Sequence, residues 1–163
     1  MNTSIDSATL RLIEQLLSDY SHCVDNKLFE HWPDFFTDEC SYEVRQAEDQ
    51  EKGYLVGLIF DSNRNRLLDR VKFMREVWEG SIEHYRTRHV YQITQITQST
   101  TDSIVSVESN LQVTYTQAES ASAVLVSGCY IDRVQLDGEG SAKFLSRTVV
   151  LDGIPARALN YPL

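Results

Sequence analysis

Apolar residues at the start of the chain recur at three- and four-residue steps. Ile5, Thr9, Leu12, Ile13, Leu16, Leu17, Tyr20 and Val24 form one stripe, which predicts an amphipathic helix. Ser4, Asp6 or Ser7 can cap its start by accepting a backbone N–H bond. Residues 28–36 carry Phe29, Trp32, Phe35 and Phe36 and predict a second short helical stretch. Pro33 limits it, because proline fits comfortably only in a helix's first turn. Residues 41–46 alternate around Tyr42 and Val44 as a first strand, and the polar residues 47–53 predict a loop. Helical spacing returns over 63–79 through Leu67, Leu68, Val71, Met74, Val77 and Trp78. Gly80 follows where a left-handed C-terminal cap wants glycine.

Beyond Gly80 the period falls to two. Residues 84–98, 103–117, 121–136 and 141–151 each predict a long strand, with a turn at 137–140. Val105, Val107, Leu111, Val113 and Tyr115 share one face of the second of these. Short connections favour antiparallel pairing, since parallel strands need long crossovers. The expectation is one α+β domain over residues 1–163, its N-terminal helices packed on one face of a long, curved antiparallel sheet. Rolled around those helices, the sheet becomes a cone. Such a cone either holds a small-molecule pocket or is filled with side chains and serves as a scaffold.

Composition narrows the classes. Hydrophobic residues make up 42% and charged residues 24%, so a packed core is expected rather than disorder. A net charge of −9 argues against a nucleic-acid binder and against docking on an anionic membrane. No segment approaches the roughly 20 apolar residues of a membrane span. Residues 1–6 are polar and lack a secretory signature. Cys23, Cys40 and Cys129 are an odd number without framework spacing and read as reduced thiols, which fits a cytoplasmic protein.

Metal chemistry finds few ligands. A Rieske cluster needs two cysteines and two histidines, and a mononuclear iron needs two histidines and a carboxylate on one side of the metal. The one close pair is His22-Cys23, on different sides of a helix, while His84 and His89 are five apart on a presumed strand. There is no nucleophile elbow and no phosphate-cradling glycine loop. Acid–base catalysis inside a cone has candidates in Tyr20, Asp25, Tyr42 and His89, with an Asp or His as base. Against this, Tyr20 continues an apolar stripe, Asp25 sits in a polar run that reads as solvated, and His89 suits a hydrogen-bonded structural role. Arg86 and Arg88 share a strand face with Val90, opposite Tyr85, Thr87 and His89. Burying an arginine calls for a carboxylate partner. Asp132, Arg147 and Asp152 on later strands are intrachain mates to consider; an acidic surface on another subunit is the alternative.

The residues resemble a family. An N-terminal helix ends in a Tyr and Cys23-Val-Asp25, then come Phe29-Glu-His-Trp-Pro-Asp-Phe-Phe36, Cys40-Ser-Tyr42, Leu67-Leu-Asp-Arg-Val71 and Tyr85-Arg-Thr-Arg-His89. Gly128-Cys-Tyr-Ile-Asp132, Phe144-Leu-Ser-Arg-Thr-Val-Val-Leu-Asp152 and Leu159-Asn-Tyr-Pro-Leu163 complete the order. Nearly the whole chain is similar to the small (beta) subunits of Rieske-type aromatic-ring-hydroxylating dioxygenases, in the cone-shaped NTF2-like (cystatin-like) superfamily. The Trp-Pro-x-Phe-Phe segment looks most like subunits serving benzoate-type acids: terephthalate, salicylate, anthranilate and benzoate. The resemblance implies a non-catalytic subunit without cofactors of its own. The Rieske [2Fe-2S] cluster and mononuclear Fe(II) are then expected on a large (alpha) subunit, with three of each subunit in an alpha3beta3 assembly. It carries no catalytic residue over to this chain. A free-standing isomerase or dehydratase with the cone fold remains the competing expectation; an open cone with converging polar groups would favour it, and a cone plugged by large side chains would favour the subunit.

Overall fold

The computed structural model describes residues 5–54, 57–78, 80, 84–98, 103–138 and 140–163. Helix α1 (Ser7–Asp25) starts at Asp6, whose carboxylate accepts the N–H groups of Ala8 (2.8 Å) and Thr9 (2.9 Å). Of the other proposed caps, Ser7 is already helical and Ser4 lies outside the described residues. Its stripe from Thr9 to Val24 is buried as the spacing predicts, with Leu12 half-buried. The second helical stretch is a 3-10 turn (Phe29–Phe35). Strand β1 (Phe36–Gln46) begins straight after it, five residues before the alternation shows, because its register shifts between Phe36 and Ser41.

The stretch read as a loop contains a short helix, α2 (Ala47–Glu51), and a three-residue strand, β2 (Ile59–Asp61), follows it. Helix α3 (Arg64–Phe73) is capped by the Asn63 side chain and widens into a π-turn (Met74–Trp78). Residue 79 lies outside the described residues; Gly80 has the left-handed φ of +86° that its position called for.

The four long strands are β3 (Arg86–Gln98), β4 (Ile104–Thr116), β5 (Ala123–Leu136) and β6 (Ala142–Leu151), each within three residues of its expected bounds. Within the turn expected at 137–140, residue 139 is outside the described set. The sheet order is β2-β1-β6-β5-β4-β3. β3 to β6 form the expected antiparallel meander, but β1 lies parallel to β6. The chain between them supplies the crossover that a parallel pair requires. Gly128 faces Leu151, where an added Cβ would lie 2.0 Å from the Val150 carbonyl oxygen.

Inward residues of β4 (Val105, Val107, Leu111 and Val113) meet α1 and the aromatic 3-10 turn in one core, while Ser106, Glu108, Asn110 and Gln112 face out. The helices thus pack on one face of a mixed α+β sheet. The start of edge strand β3 is covered by the end of α1: Asp25 accepts the His89 N–H (3.0 Å) and Lys27 donates to the Tyr85 carbonyl (2.5 Å).

Candidate functional site

Inside the cone the sheet places charge where a pocket would lie. Arg147 of β6 and Asp132 of β5 are register partners that point toward the helices. Arg147 Nε meets Asp132 Oδ1 at 2.9 Å and Nη2 meets Oδ2 at 2.7 Å, and both side chains are 0% exposed. The guanidinium carbon lies 3.9 Å from the ring centroid of Tyr130, 4.0 Å from Phe144 and 4.2 Å from Tyr20. Burial works against the arginine's charge, but Asp132 outweighs it and pushes the guanidinium's pKa up. Burial likewise pushes the Asp132 carboxyl up, against the pull of Arg147.

Around this pair the space is filled. Trp32, Tyr20, Tyr42, Phe36, Tyr130 and Phe144 are all fully buried. The Tyr20 hydroxyl donates to the Leu163 carbonyl (2.7 Å) and accepts from Trp32 Nε1 (3.1 Å); Tyr42 accepts the Leu163 N–H (2.9 Å). Burial raises both phenols, farther from any role as base. Residues 159–163 and 29–36 meet through the Phe29–Tyr161 stack.

Asp25 is not solvated: its side chain is only 10% exposed. The end of α1 delivers it to β3, where it accepts from the Thr87 hydroxyl (2.9 Å), the His89 N–H (3.0 Å) and His89 Nδ1 (2.6 Å). Burial opposes its charge, but the His89 ring, the His89 amide and Thr87 together outweigh burial and hold the carboxyl below its ordinary value. A general base works best near the operating pH, and Asp25 is moved away from it. With Nδ1 bonded to the carboxylate, His89 Nε2 is buried and has no hydrogen-bond partner among the described residues. Of the four cone-enzyme candidates, Asp25 borders an open cleft at the rim, and Tyr20, Tyr42 and His89 are not among that cleft's lining residues. Tyr20 and Tyr42 close over the C-terminal residues, and Asp25 and His89 satisfy the edge of β3.

The arginines occupy different settings. Arg86 and Arg88 are exposed on the outer side of β3, and Arg88 donates to the Thr87 carbonyl (3.2 Å). Asp132 pairs with Arg147 and not with either of them, while exposed Asp152 accepts from the Ser127 hydroxyl (3.3 Å). Among the described residues no three His, Cys, Asp or Glu side chains come together, so the donor sets of a Rieske or mononuclear iron centre do not form there. Burial pushes the thiols of Cys23 and Cys40 up to about 11. Among the described residues no helix is long and apolar enough to cross a membrane.

Two of the clefts beyond the core share lining residues. One, of ≈690 Å³, runs along Lys27, Arg86, Arg88 and Glu119. The other, of ≈440 Å³, is walled by Phe29, Met74, Trp78 and Tyr161. Lys27 and His84 line both.

The family model described as "Ring hydroxylating beta subunit" matches residues 21–154. The chain belongs to the ring-hydroxylating beta subunit family. Within that family it is 30% identical to the anthranilate 1,2-dioxygenase small subunit of Burkholderia cepacia, over 93% of this chain and 91% of the relative. It is 29% identical to the beta 1 subunit of the terephthalate 1,2-dioxygenase terminal oxygenase component of a Comamonas species, over 74% of this chain and 77% of the relative. A crystal structure from Novosphingobium aromaticivorans, assigned as the beta subunit of an aromatic-ring-hydroxylating dioxygenase, superimposes with a TM-score of 0.84 at 26% identity. The match covers 97% of this chain and all of that one. The NTF2-like α+β fold is thus shared with beta subunits. In this member of the family, sequence reasoning singled out both partners of the central ion pair without pairing them, and it missed Lys27 and His84 as cleft residues.

Proposed function

We propose that the chain is the small, non-catalytic subunit of a multicomponent aromatic-ring-hydroxylating dioxygenase and acts by supporting assembly of the large oxygenase subunit. The observation that carries this reading is the filled cone: the space a cone enzyme would give to substrate is taken by Arg147, Asp132 and their ring neighbours. A residue set built this way supplies rigidity, not a reaction site. The partner is a large (alpha) subunit, which brings the Rieske [2Fe-2S] cluster and the mononuclear iron. The stoichiometry is alpha3beta3, the setting is cytoplasmic, and the substrates of the complex are benzoate-type acids, in line with the anthranilate and terephthalate dioxygenases among the relatives.

The second reading, a free-standing isomerase or dehydratase, has two observations in its favour: the 2.6 Å contact between Asp25 and His89, and the place of Asp25 on the wall of the ≈690 Å³ cleft. Both oxygens of that carboxylate are already used by Thr87 and His89, which leaves the dyad structural. The deciding experiment is native mass measurement of the purified chain, alone and co-expressed with a Rieske-type large subunit, with iron assayed in each. An iron-free trimer that joins an iron-containing hexamer, with hydroxylation by the hexamer only, is the expected result. A chain that ignores the large subunit and stays a monomer or dimer overturns the proposal.

A further inference from the structure

The ≈440 Å³ cleft between the 3-10 turn, the π-turn and the C-terminal residues joins a wall of rings to a group of cations. Phe29 and Tyr161 are stacked at 5.3 Å with 19° between their planes, and Trp78 and Met74 face the same space. Lys27 stands beside them with a left-handed φ of +58°, a conformation that a lysine rarely adopts. Its amine donates to the Tyr85 carbonyl and lies 4.4 Å from the Tyr161 ring centroid, which leaves further N–H donors on the same nitrogen. His84 meets the Tyr161 hydroxyl through Nδ1 (2.9 Å), leaving Nε2 for another partner.

Among the described lining residues the carboxylates do not balance the cations. Glu30 is the one carboxylate among the described lining residues, and it is bound to Arg75 at 2.7 Å. Burial lowers the pKa of the Lys27 amine; Asp25 opposes that, and nearby Arg86 adds to it. In a chain of net charge −9, this half-buried ammonium stands against a ring face with N–H donors to spare, an arrangement that an incoming anion stabilises.

We infer that this cleft binds a small aromatic carboxylate, its ring against Phe29, Trp78 and Tyr161 and its carboxylate on Lys27 and His84. The volume falls within the roughly 300–1,000 Å³ of small-molecule sites. A neutral arene would leave the spare Lys27 donors unused, and an inorganic anion would leave the ring wall unused. The site uses only this chain, so it stands or falls separately from the subunit reading.

The test is titration of the full chain with sodium benzoate, read by tryptophan fluorescence. Trp78 lines the cleft whereas Trp32 is fully buried, and Trp78→Phe identifies the reporter. Benzoate should quench saturably, with a Kd on the order of millimolar, and benzamide and inorganic phosphate should bind about tenfold or more weakly. Lys27→Met should lose about tenfold in benzoate affinity while Lys27→Arg keeps most of it. Equal binding of benzoate and benzamide, an unchanged Lys27→Met, or no saturable response up to about 50 mM benzoate overturns the site. Should Lys27→Met fail to fold, the benzoate-to-benzamide ratio on the unaltered chain decides alone.

Discussion

Arg147 and Arg88 belong to strands of the same sheet, yet they live in opposite surroundings. Arg147 faces the helices, is fully buried, has a bidentate carboxylate and is covered by three rings. Arg88 faces outward two strand positions from the start of β3 and donates to the carbonyl of its neighbour Thr87. Strand parity makes the difference: a one-position change moves a side chain from core to solvent. Desolvating a guanidinium is tolerated when geometry, ring faces and a counter-charge coincide, and the inner face of β5 and β6 supplies all three. The outer face makes no such demand. A third setting, Asp25–His89, lies between these extremes, at the rim where α1 meets the sheet edge.

The contrast can be broken most strongly at its buried end. Arg147→Met leaves Asp132 buried without a partner and should cost about 3–5 kcal/mol in chemical denaturation. Pairing it with Asp132→Leu should recover most of that loss, because an apolar pair of similar volume avoids the desolvation cost. A double variant as unstable as the single one would show that the rings, not the charges, set the stability.

The rim dyad should give a smaller, pH-dependent effect. Asp25→Asn removes charge-assisted hydrogen bonds worth about 1.5–3 kcal/mol near neutral pH. Because the folded carboxyl sits below its ordinary value of 3.8, its contribution is complete above that value and is lost as pH falls below it. Stability measured from pH 6 down to about pH 2 should therefore converge for the native chain and the variant. Parallel curves would remove the charge from the explanation. At the outer face, Arg88→Ala should change stability by no more than about 0.5 kcal/mol. A larger loss would mean that this arginine carries a burden the isolated chain does not reveal.

Much of the architecture is written in the sequence as periodicity. The stripe of α1 and the alternation of β4 survive because long elements repeat their pattern many times, and tertiary packing then reinforces it. Short elements carry too few repeats: α2 has five residues and β2 three, and neither announces itself. β1 hid its first half because a register shift interrupts the alternation around Asp38 and Glu39. The central ion pair was closer to being legible. Counting back equally from the turn after Leu136 brings Asp132 opposite residue 146, and the bulge between Arg133 and Val134 moves the match to Arg147. One extra residue thus separates an unremarkable Asp–Ser neighbour pair from the core of the cone. Asp25 could not be placed by local reasoning, since its partners lie 62 and 64 residues away. Lys27 drew no attention because its position depends on a backbone turn that the sequence does not mark.

The parallel pairing of β1 with β6 also dictates an order of events during synthesis. β1 emerges early, but its long neighbour is not made until residues 142–151 have left the ribosome; until then it can pair only with three-residue β2. Closing the long loop between β1 and β6 costs more entropy than closing the turns of the β3–β6 meander. Before β6 is made, the apolar stripe of α1 and the β6-facing edge of β1 lack the partner that covers them in the finished fold. Synthesis of β6 ends that exposure, bringing in Arg147 and the second edge of β1 in a single stretch of ten residues.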